Sequence, residues 1–528
     1  MAVASLAARL RSAPTTDLHV LARGSVATLT GGIVYGLSGF LFAVAATRAL
    51  GADGAGVLFE AIALLTIGTT VALLGTDAGV IWAIPRYRAH NRSQDVARTL
   101  ALALVPVAAV GLAFAALIAI AAPQIADVLF GGVHEDEAVP YLRLLAPFLP
   151  LLAASRLLAS ATRGYGRILP YVLIENAGKG VVRVLLALVA VAVGAGQLGF
   201  VSAWAVPILL GFAATATVLH RIVAADRVDP AAPRAEKRAL AREFWGFTAP
   251  RSVQAFFSVT ILWLDILLVG SLASTREAGI YAAATRYVTV SMLVLQMLFA
   301  ALGPQVSDLI ARDRIDRVET TYRTATIWVT ALAWPLYVAI VSFAPTFLAV
   351  FGPEFVAGED ALVILAGASL VNLATGPGAL VLLMSGRSRL LLANAVVSLA
   401  MNVTLNFVLI PALGITGAAI ALGASVLFNS IAPLAQARYL LGIHPFTRGL
   451  ALVATASVSL YGGLGIAFRV ALGDSLPVLG VFVLAATALY LVFLWRFRDA
   501  LELTTIGDAL GLSRRRVEVA PAAPSGGA

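Results

Sequence analysis

The chain has 528 residues, of which 60% are apolar and only 12% are charged. A soluble domain carries about 45–50% apolar residues with Gly included and about 25% charged ones, and single cores stop growing near 250–300 residues. The composition therefore excludes a soluble enzyme or a large aqueous domain, and it indicates a polytopic membrane protein. The sequence contains no Cys, so disulfides and thiolate metal sites are excluded as well.

Apolar runs separated by charges and turn residues predict about 14 transmembrane helices, since one crossing takes about 20 residues. In chain order they span residues 25–47, 56–75, 99–121, 140–160, 168–193, 198–219, 244–271, 278–302, 324–350, 361–384, 390–411, 414–436, 449–468 and 476–495. The predicted organisation is a cytoplasmic N-terminal extension (1–24), an N-lobe of six helices (25–222), a cytoplasmic linker (223–242), a C-lobe of six helices (243–440), a terminal helix pair (441–498) and a cytoplasmic tail (499–528).

The formal charge of +9 is distributed by membrane side. If the N-terminus is cytoplasmic, the arginine-rich loops around residues 86–98, 163–167, 221–242, 312–323, 387–389, 438–448 and 496–516 all lie inside. Only Arg48, Arg143, Arg276 and Arg469 lie outside. The positive-inside rule thus predicts that both termini are cytoplasmic, and nucleic acid is not expected as a partner. The strong preference for Arg over Lys suggests a GC-rich prokaryotic genome. We expect the protein to lie in the plasma (inner) membrane.

The outer segments are acidic instead, at residues 134–137 and 358–360. We expect these segments to be solvated loops and not a metal site. Residues 178–180 read GKG but lack the other residues of a P-loop, so no nucleotide cofactor is expected and energy should come from an ion gradient. No grouping of nucleophile, base and orienting residue supports catalysis.

An internal repeat relates the two lobes. Ala55-Gly56-Val57 recurs as Ala278-Gly279-Ile280 after 223 residues, and LGFVSA from Leu198 resembles LGITGA from Leu413. Because each half has an even number of predicted helices, both halves enter the membrane in the same direction. Parallel repeats of this kind are a transporter architecture, with the substrate path between the lobes.

Three segments carry a resemblance to a known family: RALGADGAGVLFEA (Arg48–Ala61), REAGIYAAATRY (Arg276–Tyr287) and NVTLNFVLIPALGITGAAIA (Asn402–Ala421). They resemble the polysaccharide or O-antigen flippases, whose superfamily also contains multidrug and toxin extrusion exporters and the lipid II flippase. The resemblance implies an all-α fold of six plus six helices with a terminal pair. It also implies alternating-access transport of a polyprenyl-(di)phosphate-linked oligosaccharide from the inner to the outer leaflet. A glycan polymerase or ligase would then be a partner, besides membrane lipid.

Charged residues within spans are functional candidates because their insertion is unfavourable. Glu175, Lys179 and Arg183 share one face of the fifth predicted helix, at i, i+4 and i+8. The matching face of the eleventh predicted helix carries Asn394, Ser398, Asn402 and Asn406. One hypothesis is that Lys179 and Arg183 bind the carrier phosphate while the Asn row binds sugar hydroxyls. The alternative is that Glu175 pairs locally with Lys179 and the Asn residues brace neighbouring helices.

The seventh predicted helix carries a second stripe, Arg251, Gln254 and Ser258, and the first predicted helix carries Tyr35. Arg251 lies near the inner leaflet, where an arriving phosphate would meet a guanidinium that suits it. We therefore predict that Arg251, Gln254 and Tyr35 contact substrate.

Three further charged residues, Asp265, Glu60 and Arg286, lie toward the outer side. Either Arg286 forms a fixed ion pair with one of the carboxylates, which we favour, or a carboxylate takes up H+ or Na+ for coupling. Together with Glu175 they are the candidates for ion coupling or gating.

Two other functions remain as alternatives. An ion-coupled drug or metabolite exporter of the same fold would be expected to have a net acidic cavity, whereas the intramembrane candidates are mainly basic. A membrane-embedded glycan polymerase or ligase would need a long outer catalytic loop, and the predicted outer loops are short.

Overall fold

The computed structural model describes residues 15–130, 135–226, 236–498 and 501, and all regular secondary structure in these ranges is helical. The first half contains α1 (Thr15–Leu73), α2 (Thr76–Ala89), α3 (Ser93–Ile120), α4 (Ala122–Phe130), α5 (Glu135–Leu145), α6 (Phe148–Gly164), α7 (Ile168–Pro170), the π-helix π1 (Tyr171–Gly178), α8 (Lys179–Ala192) and α9 (Gly196–Ala225). The second half contains α10 (Lys237–Leu272), α11 (Thr275–Ala311), α12 (Ile315–Ser342), α13 (Ala344–Ala349), a 3₁₀-helix (Pro353–Gly358), α14 (Glu359–Ala374), α15 (Gly378–Met384), α16 (Ser388–Leu413), α17 (Ile415–Leu441), α18 (Arg448–Ser457), the π-helix π2 (Val458–Gly463), α19 (Leu464–Leu472) and α20 (Leu476–Arg496).

Twelve helical stretches of the described chain are long and apolar enough to cross a membrane. The first of them, Thr30–Ala89, has 60 residues, about 90 Å of helix at 1.5 Å per residue against a hydrocarbon core of about 30 Å. It is broken at Gly51, whose φ of 68° is strained for other residues, so the chain can reverse direction there. The polytopic all-α fold is thus confirmed, while the count of 14 stays a prediction.

The predicted fifth helix (168–193) is interrupted by the π-helix π1, and none of its helical parts reaches spanning length alone. The seventh predicted helix begins earlier than expected, at Lys237. Leu240 of the predicted linker is completely buried, as is Phe244 one turn later, so the packed face of the helix extends into the linker. The short helix α4 was not predicted. The predicted N-terminal extension to residue 14, residues 227–235 of the linker and nearly all of the tail lie outside the described residues.

The two halves cross closely near Gly51, on the membrane side opposite to most arginines. A Cβ atom on Gly56 would lie 1.9 Å from the carbonyl oxygen of Thr275, and one on Gly279 would lie 2.2 Å from that of Ala52. Gly56 and Gly279 are equivalent in the sequence repeat, as are Ala52 and Thr275, so the same backbone contact is made twice. We call this contact the glycine crossing.

Ion pairs surround the glycine crossing. Arg276 contacts Asp53 at 3.0 Å and Glu354 at 2.8 Å, and Glu354 also accepts the backbone N–H of Ala52 at 2.7 Å. Residues from both halves therefore hold this side together.

The halves also meet on the arginine-rich side, which we call the basic side. Trp82 of α2 stacks on Phe247 of α10 with ring centroids 4.4 Å apart. Glu243 of α10 contacts Arg92 at 3.4 Å and Arg86 at 3.7 Å. The polar residues described next lie between these two contacts.

Candidate functional site

Glu175, Lys179 and Ser155 form a buried polar triad in the first half. The ammonium nitrogen of Lys179 lies 2.7 Å from Oε1 of Glu175 and 2.8 Å from the hydroxyl of Ser155. Both charged side chains are less than one-tenth exposed, and the stem of Lys179 packs directly on Gly211. The local pairing of Glu175 with Lys179 is formed as one alternative predicted, and it leaves Lys179 largely neutralised.

Arg183, one turn further along α8, has a different environment. Its guanidinium carbon lies 5.2 Å from the ring centroid of Trp204 and 5.8 Å from that of Phe42. Its buried Nε has no hydrogen-bond partner, and no carboxylate among the described residues lies within ion-pair distance. Cation–π contacts thus hold a guanidinium whose donors are available to a ligand.

Arg286 of α11 repeats this arrangement in the second half. Its guanidinium carbon lies 5.0 Å from the ring centroid of Phe59 and 5.5 Å from that of Trp263, and its Nε is buried without a partner. Within the described structure it forms no ion pair with Asp265 or Glu60, so the ion pair favoured from sequence is wrong. The guanidinium of Arg286 packs against the rings of Phe59 and Trp263 instead.

The two arginines share Tyr35 as an electrostatic neighbour. The phenol of Tyr35 is close enough to interact electrostatically with both guanidiniums, and Arg183 is close enough to repel Arg286. Arg183 also lies within electrostatic range of Glu175 and Arg156. Tyr35 is 47% exposed. Two arginines with no carboxylate in ion-pair contact among the described residues form a site suited to an anion; we call Arg183, Arg286 and Tyr35 the arginine pair site.

Asp265 of α10 is fully buried and is satisfied by three neutral donors. Tyr281 donates to it at 3.1 Å, Asn406 at 2.8 Å and Asn402 at 3.4 Å. The amide oxygens of Asn402 and Asn406 are buried without a partner. We call these four residues the Asp265 cluster; its oxygen atoms are the ligand type that hard cations prefer.

The first residues of the polar row on α16, Asn394 and Ser398, connect α16 to α17. Asn394 and Gln436 exchange two hydrogen bonds of 2.9 Å each, and Ser398 accepts from Asn429 at 2.6 Å. These amides are occupied by protein partners, as the alternative of bracing predicted. Sugar contacts by Asn394, Asn402 and Asn406 stay a prediction.

Glu60 is completely buried, and neither of its carboxylate oxygens has a hydrogen-bond partner. It packs on the backbone of α10 at Gly270, where a Cβ atom would lie 2.2 Å from its Oε2. Glu60 therefore links the two halves next to the glycine crossing.

Arg251 and Gln254 lie on an exposed face of α10. The guanidinium carbon of Arg251 lies 4.6 Å from the ring centroid of Phe247, the ring that stacks on Trp82. Arg251 thus lies beside the basic-side contact, apart from the arginine pair site.

Sequence reasoning missed the four aromatic residues that form cation–π contacts with Arg183 and Arg286, namely Phe42, Trp204, Phe59 and Trp263. Each ring approaches its arginine from another helix, so no spacing within one helix could have identified it. The sequence offers only a general indication of such contacts: Trp and Tyr residues within polar stripes are candidates for contacts with cations.

The architecture defines a polytopic, all-helical membrane protein with a two-lobe transporter fold. The structure resembles that of the lipid II flippase MurJ in an inward closed conformation, with a TM-score of 0.69 at 11% identity, covering 90% of this chain and 99% of that one. It also resembles an inward-facing multidrug resistance transporter of the MATE family, with a TM-score of 0.66 at 14% identity, covering 79% and 98%.

The chain belongs to the polysaccharide biosynthesis protein family, whose model matches residues 58–356. A curated relative is the probable low-salt glycan biosynthesis flippase Agl15 of Haloferax volcanii, 28% identical over 196 residues. That alignment covers 36% of this chain and 41% of the relative, so the chain spans about two fifths of the curated relative that it matches.

Proposed function

We propose that the protein is a flippase that moves a polyprenyl-(di)phosphate-linked oligosaccharide from the cytoplasmic to the outer leaflet for cell-surface glycan assembly. Family membership and the similarity to a probable glycan biosynthesis flippase support this proposal. The cargo needs a hydrated cationic path for its phosphates and sugars, while its tail stays in lipid. Nothing in this role requires catalysis, so we propose a transporter and not an enzyme.

The observation that carries the proposal is the arginine pair site. A guanidinium presents several N–H donors in a fixed fork that fits phosphate oxygens. Two such groups beside the hydroxyl of Tyr35 can share one diphosphate, and the aromatic rings of Trp204 and Trp263 lie beside them. Arg251 and Gln254 are proposed to receive the phosphate first, near the basic side.

Alternating access would use the two contacts between the halves. We propose that the basic side is cytoplasmic and opens when the Glu243 ion pairs break. The outer side would open when the glycine crossing separates, and Glu60 would move away from Gly270. The topology, with both termini inside a prokaryotic plasma membrane, is tested by labelling single Cys variants, for which this Cys-free chain has no background.

We further propose that the Asp265 cluster binds the coupling cation. The carboxylate of Asp265 and the unpartnered amide oxygens of Asn402 and Asn406 fit Na+, while proton uptake by Asp265 is the other outcome. The arginine pair site speaks against the alternative of an exporter of cationic drugs, because it would repel such a substrate.

The proposed function is tested in cells that lack the protein. We expect lipid-linked oligosaccharide to accumulate in the inner leaflet and to be cleared when the intact protein is restored. Arg183→Ala and Arg286→Ala should each reduce clearance at least about tenfold, since a hydrogen bond to a charged group contributes about 1.5–3 kcal/mol. Arg438→Ala, at an exposed arginine near the end of α17, is the matched control.

Unchanged lipid-linked oligosaccharide in the deleted strain would contradict the flippase function. Efflux of drugs or metabolites would then be measured to test the exporter alternative.

A further inference from the structure

Two neighbouring cavities follow the first turns of α3 on the basic side. The first, about 360 Å³, is lined by Ser93, Gln94, Ala97, Arg98, Tyr165, Val223 and Asp226. The second, about 440 Å³, is lined by Arg98, Ala101, Leu102, Val105, Pro106, Lys237, Leu240 and Trp245. Arg98 belongs to both, so it stands between a cavity with several polar lining residues, which we call the polar cavity, and one lined mainly by apolar residues, which we call the apolar cavity.

The apolar cavity has walls from both halves of the molecule. Arg98 and Val105 belong to α3, while Lys237 and Trp245 belong to α10. Val105 is 67% exposed, so the cavity opens outward along α3. Glu243, which forms the inter-half ion pairs with Arg92 and Arg86, lies two residues before Trp245 on the same helix.

The position of the cavity along the helices corresponds to the membrane surface. Helix α10 has 36 residues, about 54 Å at 1.5 Å per residue, which exceeds the hydrocarbon core of about 30 Å. Its first turns, which carry Lys237 and Trp245, therefore lie at the interface, where Trp is enriched.

The order of chemical groups along α3 is the order found in a phospholipid. The polar cavity comes first, then Arg98, with Lys237 opposite, and then the apolar wall of Leu102 and Val105. Arg98 also contacts the buried Asp95 at 3.5 Å, so the phosphate would share its guanidinium with that carboxylate. Burial, together with the charge of Asp226, raises the pKa of Tyr165 in the polar cavity to about 12, so its phenol stays neutral and can donate to a headgroup oxygen. Basic pockets between transmembrane helices on the cytoplasmic side are typical sites for anionic headgroups.

We propose that this cavity binds one anionic phospholipid of the basic-side leaflet, with its phosphate between Arg98 and Lys237 and an acyl chain along Val105. The lipid is not the cargo, because the cavity lies beside α3 and apart from the arginine pair site. Since the phosphate bridges α3 and α10, binding favours the arrangement in which the two halves meet on the basic side.

The proposal is tested by native mass spectrometry of the purified, delipidated full chain. The protein is titrated with dioleoyl phosphatidylglycerol or with zwitterionic dioleoyl phosphatidylcholine. We expect one phosphatidylglycerol to bind at low concentration and phosphatidylcholine to bind more weakly. A basic residue near a membrane surface contributes about 1 kcal/mol toward anionic lipid, so Lys237→Gln should weaken phosphatidylglycerol binding about fivefold, and adding Arg98→Gln about 25-fold in total.

Matched variants distinguish binding in the cavity from a general attraction of anionic lipid to basic residues. Arg238→Gln, one residue beyond Lys237 and outside the cavity lining, should bind as the intact protein does. Val105→Trp fills the apolar wall and keeps both cations, and it should also weaken binding, whereas Val105→Leu should not. Excess inorganic phosphate should fail to displace the lipid.

Equal binding of the two lipids, full binding by the Lys237→Gln and Arg98→Gln double variant, or displacement by inorganic phosphate would each overturn the proposal. Lipid binding is measured without transport, so its failure is distinguishable from failure of the flippase function.

Discussion

A single methyl group at the glycine crossing is expected to open the outer side of the protein. A Cβ atom on Gly56 would lie 1.9 Å from the carbonyl oxygen of Thr275, where real Cβ atoms essentially never approach below 3.0 Å. The shortfall is 3.0 − 1.9 = 1.1 Å, and the oxygen belongs to the backbone of α11, so the helices themselves must separate. Overpacking of this kind costs about 1–3 kcal/mol, which shifts an equilibrium by about 5–150-fold.

The shift is measured by labelling Tyr35→Cys with a membrane-impermeant maleimide added from outside. Gly56→Ala should speed labelling, because it destabilises only the arrangement with the outer side closed. Gly39→Ala on the same helix is the matched control, since a Cβ there meets nothing within 4 Å. Labelling of the Gly56→Ala variant at the control rate would refute the assignment of this contact as the outer closure.

Two further predictions concern buried carboxylates. Glu175→Gln leaves the ammonium of Lys179 buried without its counter-ion, so it should lower the free energy of unfolding by about 3–5 kcal/mol, measured by thermal unfolding in detergent. The double variant with Lys179→Met should recover most of this loss. Equal melting temperatures of the single and double variants would argue against the pairing. Asp265→Asn should abolish stabilisation by Na+, which for the intact protein is about 2.7 kcal/mol at 100 times the dissociation constant. If the variant keeps a sodium-dependent rise in melting temperature, the ion site lies elsewhere; if the intact protein responds to pH and not to sodium, the proton is the coupling ion.

The sequence was sufficient for the membrane fold because both signals that define it are local. Apolar length identifies helices, and left-handed glycines such as Gly51 and Gly414 mark reversals between them. The pairing of Glu175 with Lys179 was equally accessible, since residues four apart share a helix face. The repeat aligned Gly56 with Gly279, but the close approach of their helices is visible only in the structure.

The sites between helices could not be derived in the same way. The sequence placed Arg286, Asp265 and Glu60 at a similar position across the membrane, which suggested an ion pair. That position does not determine which faces of the helices contact each other. In the structure Asp265 is satisfied by amide and phenol donors from α16 and α11, while Arg286 packs on Phe59 and Trp263. Both environments depend on helix packing between distant segments.

The measurement that tests the central claim most directly is flipping by the purified protein in liposomes. A fluorescent polyprenyl-diphosphate oligosaccharide is incorporated into both leaflets, and an external reagent that quenches only the outer leaflet reports exchange. With the intact protein, we expect quenching to proceed to near completion, whereas the Arg183→Ala and Arg286→Ala double variant should stop near half, as protein-free liposomes do. If the double variant flips the lipid as fast as the intact protein, the arginine pair site does not carry the cargo; if the intact protein also stops near half, the protein is not a flippase for this lipid class.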